Sequence, residues 1–308
     1  MIARFQRRER AFRWLTTLAT VLVLSTLAGV VVALTYGAMP ALKVAGAGFL
    51  FSDQWDPAKD SFGMLPALGG TLLTSFAALV VALPMSVAIA FFLTEIASAN
   101  ARYWIGSAVD LLAAIPSIIY GMWGLFVLAP WMSEHIQAPF APYFAQIPLL
   151  GALTRGAPLG IGLGTAALVL SLMILPFLSA TLRELFASVP RALKESARGL
   201  GATRFEVFWH VVLPYCRAQS VGAVMLGLGR ALGETMAVTF VIGNAHLLSL
   251  SLLSPGTTVA ATIANEFNEA SGALHTSALL ALGLVLFVIT SVVLALSRIL
   301  LGWKKVPK

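Results

Sequence analysis

Long stretches without charge, separated by short polar ones, set the plan of this chain. No Asp, Glu, Lys or Arg occurs from Trp14 to Leu42 or from Ser61 to Thr94. A bilayer core of about 30 Å takes roughly 20 apolar helical residues. The pattern therefore predicts membrane helices at about 14–36, 69–93, 104–128, 159–181, 218–243 and 277–300. That makes the fold class all-α, a polytopic membrane protein with six transmembrane helices and both termini on one side. The first run follows five arginines, but it far exceeds the roughly 7 to 15 apolar residues of a signal peptide, so it is read as a retained span. Pro84 is expected to bend the second span, and the fourth carries Pro176. The third span is expected to exit at Pro130, Trp131 and Glu134. Residues 37–66 and the stretch with Pro255, Glu266, Asn268 and Glu269 read as outer loops. The proline-rich segment 132–158 is expected to lie at the outer interface. By this division residues 1–66 hold a basic amino terminus, the first span and the first outer loop. Residues 67–300 form a five-span core, and 301–308 a basic tail.

Between the fourth and fifth spans lies a polar island, PRALKESARGLGATRFEVFWHVVLP, from Pro190 to Pro214. Pro190 suits a helix start, so 191–200 reads as a short helix. Gly201 supplies the left-handed residue that ends it. Thr203 and Glu206 have the spacing of a capping box that starts a second helix. That helix is expected to stop or kink before Pro214. The island is thus a helix, a glycine turn and a second helix, a compact knob on one membrane face.

Composition changes the picture only by exclusion and orientation. With 308 residues, 59% of them apolar and 11% charged, and a mean hydropathy of +0.90, the chain is neither a soluble domain nor a disordered one. Its net charge of +7 does not fall on a continuous face, so no nucleic acid is expected as a partner. Sixteen of the 20 Lys and Arg residues lie at the amino terminus, at Arg102, between Arg183 and Arg217, and from Arg298 onward. The outer loops hold only Lys43, Lys59 and Arg155, which places the island and both ends in the cytoplasm. Cys216 is the single cysteine, which excludes an intrachain disulfide and reads as a buried, inert thiol. No phosphate-binding G-x-x-x-x-G-K-[ST] loop, H-E-x-x-H helix or G-x-S-x-G elbow occurs, so no catalytic residues, metal or cofactor are expected. His135, His210, His246 and His275 are far apart in sequence and read as solvated or interfacial.

The fifth span alone carries two charges, Arg230 and Glu234. An ionisable residue deep in a span costs on the order of 2.5 to 3.5 kcal/mol and normally faces a partner or a wet path. Four residues apart on a continuous helix, the two share one face. A neutralising pair that ties spans together and an anion path with Arg230 as its donor both fit. Hydroxyls at Thr71, Thr74, Ser75, Ser117, Thr235 and Thr239 are available to such a path, although span hydroxyls commonly bond their own backbone. Asp110 is expected at the inner interface, either as a structural residue or paired with a basic loop side chain.

In the island Glu195, Ser196 and Ala197, then Gly201, Val211, Leu213 and Pro214 reproduce the E-A-A-x3-G-x9-I-x-L-P loop, with Ser196 and Val211 as mild departures. The chain in this respect resembles membrane subunits of ABC importers, in which the loop carries a coupling helix that docks on a cytoplasmic ATPase. The strings LLAAIPSIIYGMWGLFVLAP, SLMILPF and GLGRALGETMAVTFVIGN are similar to the PstC-type permease family of phosphate-specific ABC importers. That similarity runs from about residue 47 to the end of the sixth span. The resemblance implies the ABC type I importer permease fold in the cytoplasmic (inner) membrane and translocation of inorganic phosphate, with Arg230 and Glu234 on the substrate path. It also implies partners: a second, PstA-like permease subunit, two copies of a PstB-like cytoplasmic ATPase, and a PstS-like phosphate-binding protein outside. Permeation of another oxyanion, such as phosphonate, sulfate or molybdate, stays open. An ion-coupled secondary carrier is a further alternative, opposed by six spans rather than about ten or more.

Overall fold

A computed structural model describes residues 2–144, 147, 151, 153–154 and 156–302, without the side chains of residues 2–8, 141, 142, 144 and 300–302. Arg155 and the tail lysines Lys304, Lys305 and Lys308 lie outside the described residues, as do the side chains of Arg4, Arg7 and Arg8. Among the described residues five helices are long and apolar enough to cross a bilayer, within Glu9–Ala45, Leu65–Ile96, Leu163–Ala187, Arg204–Leu232 and Ala273–Ile299. The second and fourth run unbroken through Pro84 and Pro176.

The third crossing differs from the predicted helix at 104–128. It is a pair, Ala99–Ala113 and Ser117–Phe140, bent by 89° at the break. Pro116 is the cause: it disfavours helical backbone at Ile115 and lacks an N–H of its own. Asp110 meets Arg183, one turn from the inner end of the fourth span, so the first member of the pair has climbed little from the cytoplasmic side. Ser117–Phe140 is long enough to cross alone, spanning roughly 36 Å. The helix thus continues through Pro130 and Glu134, the expected exit, and the residues just beyond 132 are helical.

The fifth span also departs from expectation. Pro214 does not stop it. A wider π-turn over Phe208–Val212 precedes the proline and carries one continuous helix from Arg204 to Leu232. Such a turn relieves the clash a proline makes with the carbonyl one turn back. At the other end the helix stops at Leu232, not near 243, and only a short helix, Met236–Thr239, follows.

The fourth span is the hub. Leu163, Val169, Leu170, Ile174 and Leu178 are buried against Ala78 and Ala82 of the second span and Val238, Val241 and Ile242 beyond the fifth. Small residues at the contact between the second and fourth spans let the backbones approach, which matters because lipid offers no hydrophobic drive for helix association. Ser86 adds a hydrogen bond across this contact, its hydroxyl donating to the Leu175 carbonyl at 3.2 Å. The first span lies against the sixth and otherwise exposes its apolar side chains, as a lipid-facing helix does. Cys216 is buried, and its thiol donates to the Leu185 carbonyl at 3.2 Å.

At the outer end a two-stranded hairpin, Trp55–Asp56 against Ser61–Phe62, is latched to the core. Glu266 accepts from Trp55 Nε1 at 2.9 Å and pairs with His246 Nε2 at 2.7 Å and His275 Nε2 at 2.9 Å. Trp55 stacks on His246, with centroids 5.3 Å apart. Two of the histidines read as solvated or interfacial are therefore joined by one carboxylate, and His275 is buried. Partial burial pushes the Glu266 carboxyl up, but the hydrogen bonds from His246, Trp55 and His275 outweigh it and hold the group below the usual carboxylate range. The stability it contributes is thus fully present above the ordinary value near pH 4.3 and is lost as pH falls through the lowered one. The Trp55 indole N–H should stay protected from exchange, read by NMR, until pH falls below the usual carboxylate range. Glu266→Ala should lose about 1 to 3 kcal/mol of that protection at neutral pH. Equal protection in the variant would remove the latch.

Candidate functional site

The cytoplasmic knob forms much as the spacing predicts. Arg191–Gly199 is helical, with Pro190 just outside it at the cap position. Gly201 has φ +93, a left-handed backbone that any side chain would strain. Its neighbour Ala202 closes the turn, donating its N–H to the Ala197 carbonyl at 3.2 Å. The capping box is complete: Thr203 Oγ1 accepts from Glu206 N at 3.3 Å, and Thr203 N donates to Glu206 Oε2 at 2.8 Å. No residue of the helix Arg191–Gly199 is buried, and Glu195 and Ser196 are exposed. Leu200 is 90% and Phe205 59% exposed, a degree that marks an apolar tip awaiting a partner. Leu213 and Pro214 lie beyond the π-turn at the base of the fifth span and are not part of that tip.

What holds the knob to the membrane core is a residue that the sequence pattern did not single out. Glu95 ends the second span on a π-turn, with its carboxylate only 2% exposed. One oxygen accepts from Lys194 Nζ at 2.6 Å and the other from Arg198 Nη2 at 2.8 Å. Lys194 also donates to the Phe186 carbonyl at 3.0 Å, and Arg204 Nη1 donates to the Glu95 carbonyl at 3.1 Å. Arg102 caps the same helix end through the Leu93 and Thr94 carbonyls, at 2.7 and 3.2 Å. The signal was present in the sequence. A carboxylate at a helix C-terminus faces the negative end of the helix dipole, so its placement there demands cations nearby. Asp110, read as structural or paired, is paired, with Arg183 Nη2 at 3.2 Å.

The two charges of the fifth span are not brought together. Arg230 sits in the last turn of the helix, exposed, with its guanidinium carbon 5.8 Å from the Phe177 ring centroid. Glu234 lies past Gly233, outside the helix, and its Oε1 accepts from Ala237 N at 3.4 Å to start the short helix Met236–Thr239. The helix ends before the four-residue spacing can place the pair on one face, and no ion pair joins them. Most candidate hydroxyls bond their own backbone: Thr71 to Ala67, Thr74 to Gly70 and Thr239 to Thr235. Ser75 Oγ is buried without a partner.

Comparison with known proteins agrees with this architecture. The family described as "Binding-protein-dependent transport system inner membrane component" matches residues 61–303. The phosphate transport system permease protein PstC of Pasteurella multocida is 53% identical over 293 residues, covering 95% of this chain and 91% of that one. The protein of the same name from Mesorhizobium japonicum is 51% identical over 300 residues, covering 97% and 92%. A solved bacterial ABC transporter involved in import of the acidic polysaccharide alginate shares the fold, with a TM-score of 0.56 at 17% identity over 91% of this chain and 95% of that one.

Removing the Glu95 charge leaves Lys194 without its carboxylate partner in a nearly closed site. Because Arg198 is partly solvated, the expected cost is on the order of 2 to 3 kcal/mol, below the usual range for a broken buried pair. Glu95→Gln should speed amide exchange across residues 194–200 by roughly 30- to 150-fold. Glu195→Gln, on the exposed face, should leave that exchange unchanged. Equal behaviour of the two variants would show that Glu95 is not the anchor.

Proposed function

The chain belongs to the family of binding-protein-dependent transport system inner membrane components, and from that premise we propose that it is the permease subunit of an ABC importer for inorganic phosphate. It is a multi-pass protein of the cytoplasmic membrane. The observation that carries the substrate is the match along nearly the whole chain to relatives named phosphate transport permeases. Another oxyanion is not favoured by any of these matches, and neither is a secondary carrier.

Several features of the chain support this reading. The knob from Arg191 to Phe205, with Glu195, Ser196, Ala197 and Gly201, offers an exposed surface to a cytoplasmic ATPase, and the chain has no nucleotide-binding loop of its own. Two ATPase copies would serve two permeases, this one and a PstA-like partner, and a PstS-like protein would deliver phosphate from outside. Arg230 is exposed on a face of the fifth span that a second permease would enclose. Its planar donor fork matches phosphate oxygens, and its unpaired state leaves that fork available. Glu234, held just beyond the helix end, limits the local positive field so that the anion can leave again. Residues 67–300 form the permease core in this reading, with 1–66 adding a peripheral span and outer loop and 301–308 a basic tail.

ATP-driven phosphate uptake into vesicles holding the assembled complex tests the path. Arg230→Gln should assemble normally and lose uptake by on the order of 10- to 100-fold, the effect of removing one charge-assisted contact. Normal uptake would make Arg230 a structural charge. For the knob, Glu195→Lys or Gly201→Pro should insert normally yet abolish phosphate-stimulated ATP turnover. Unchanged turnover in both variants would take the knob out of the mechanism.

A further inference from the structure

Beside the Glu95 anchor, the inner ends of the second and fourth spans, the helix Ala99–Ala113 and the start of the coupling helix line an open cavity of about 380 Å³. Four cations line it, Arg102, Arg183, Arg191 and Lys194, against a single lining carboxylate, Glu184. Their bonding leaves donors to spare. Arg102 spends Nε and Nη2 on neutral carbonyls, so its charge is fixed in place without being compensated. Arg183 spends Nη2 on Asp110 and keeps Nη1. Arg191 makes no hydrogen bond or ion pair with any described residue, although it lines both this cavity and the adjoining one. Lys194 and Arg183 are thus paired, with Glu95 and Asp110, while Arg102 and Arg191 carry charge that no described carboxylate compensates.

The setting identifies the ligand. Next to Arg102, Tyr103 and Trp104 form an exposed edge-to-face pair, 5.4 Å between centroids. Exposed Trp and Tyr side chains of a membrane protein sit at headgroup depth, and a basic pocket between span ends on the cytoplasmic side suits an anionic headgroup. We propose that the cavity binds a phosphate group, and that the group is the headgroup of an anionic phospholipid of the inner leaflet. Bound there, the phosphate takes donors from Arg191 on the coupling helix, Arg102 on the helix Ala99–Ala113 and Arg183 on the fourth span, and so ties the knob to the membrane surface. This site is on the cytoplasmic rim, apart from Arg230 and from the transported ion, and does not depend on the substrate proposed above.

The test uses the assembled complex in nanodiscs containing phosphatidylcholine with or without cardiolipin or phosphatidylglycerol, with retained lipid read by native mass spectrometry after transfer to detergent. Wild type should retain anionic lipid in preference to phosphatidylcholine. Arg191→Gln, which breaks no hydrogen bond or ion pair with a described residue, should lower that retention on the order of tenfold, and Arg102→Gln with Arg191→Gln more so. Arg191→Lys should restore most of it. Equal retention in wild type and the double variant, or no preference for anionic lipid, would overturn the proposal. Displacement of the lipid by millimolar inorganic phosphate would also overturn the lipid assignment and give the site to the free anion.

Discussion

A carboxylate that ends a membrane helix must find positive charge, because the helix dipole opposes it and the membrane offers no compensating water. Glu95 meets this constraint with Lys194 and Arg198, both on the first helix of the cytoplasmic knob. The consequence is mechanical. The knob protrudes with no buried residue in its first helix, yet its base is held through one buried ion cluster, two backbone carbonyls and the apolar contacts of Phe186, Val207, Phe208 and Val212. A displacement of the knob must therefore be felt at the inner ends of the second and fourth spans. These two spans share the most extensive helix contact among the described residues, so the displacement has a stiff route inward.

The second constraint is backbone satisfaction in a proline-rich membrane chain. The prolines are accommodated by their surroundings in more than one way. Pro116 turns the chain by 89° at a break between helices. Pro214 is absorbed by the π-turn before it, and Pro130 likewise follows a π-turn, over Gly124–Leu128. A π-turn shifts the hydrogen-bond ladder by one residue and so removes the donor demand that proline cannot meet. These turns cost helix regularity but keep every crossing continuous where a continuous wall is needed.

Much of this was legible in the sequence, for identifiable reasons. Spans follow from charge-free length, and the knob from local rules that act over three or four residues: Gly201 at positive φ, and Thr203 with Glu206. Direction was not legible. Hydropathy records that residues 99–140 are apolar enough to cross, but not that Pro116 turns the chain between two helices. The end of the fifth span was legible in principle, since glycine is a common helix terminator and Gly233 lies between two charges, but the apolar residues that follow Glu234 outweighed it. Contacts between distant residues were out of reach. His246 and His275 meet only through Glu266, and Glu95 meets Lys194 across the whole length of the third and fourth spans.

The separation of Arg230 from Glu234 bears on how an anion could pass. Had the helix continued, the two side chains would have closed on each other, and a phosphate would have had to break an ion pair within low dielectric before it could bind. Ending the helix at Leu232 puts Glu234 to another use, accepting from Ala237 N at the start of the short helix Met236–Thr239, and leaves the Arg230 fork exposed over Phe177. An aromatic face attracts the guanidinium only weakly, by about 0.5 to 2 kcal/mol. In the proposed path that is the useful magnitude: enough to orient the fork before the ion arrives, and little enough for the phosphate oxygens to take its place.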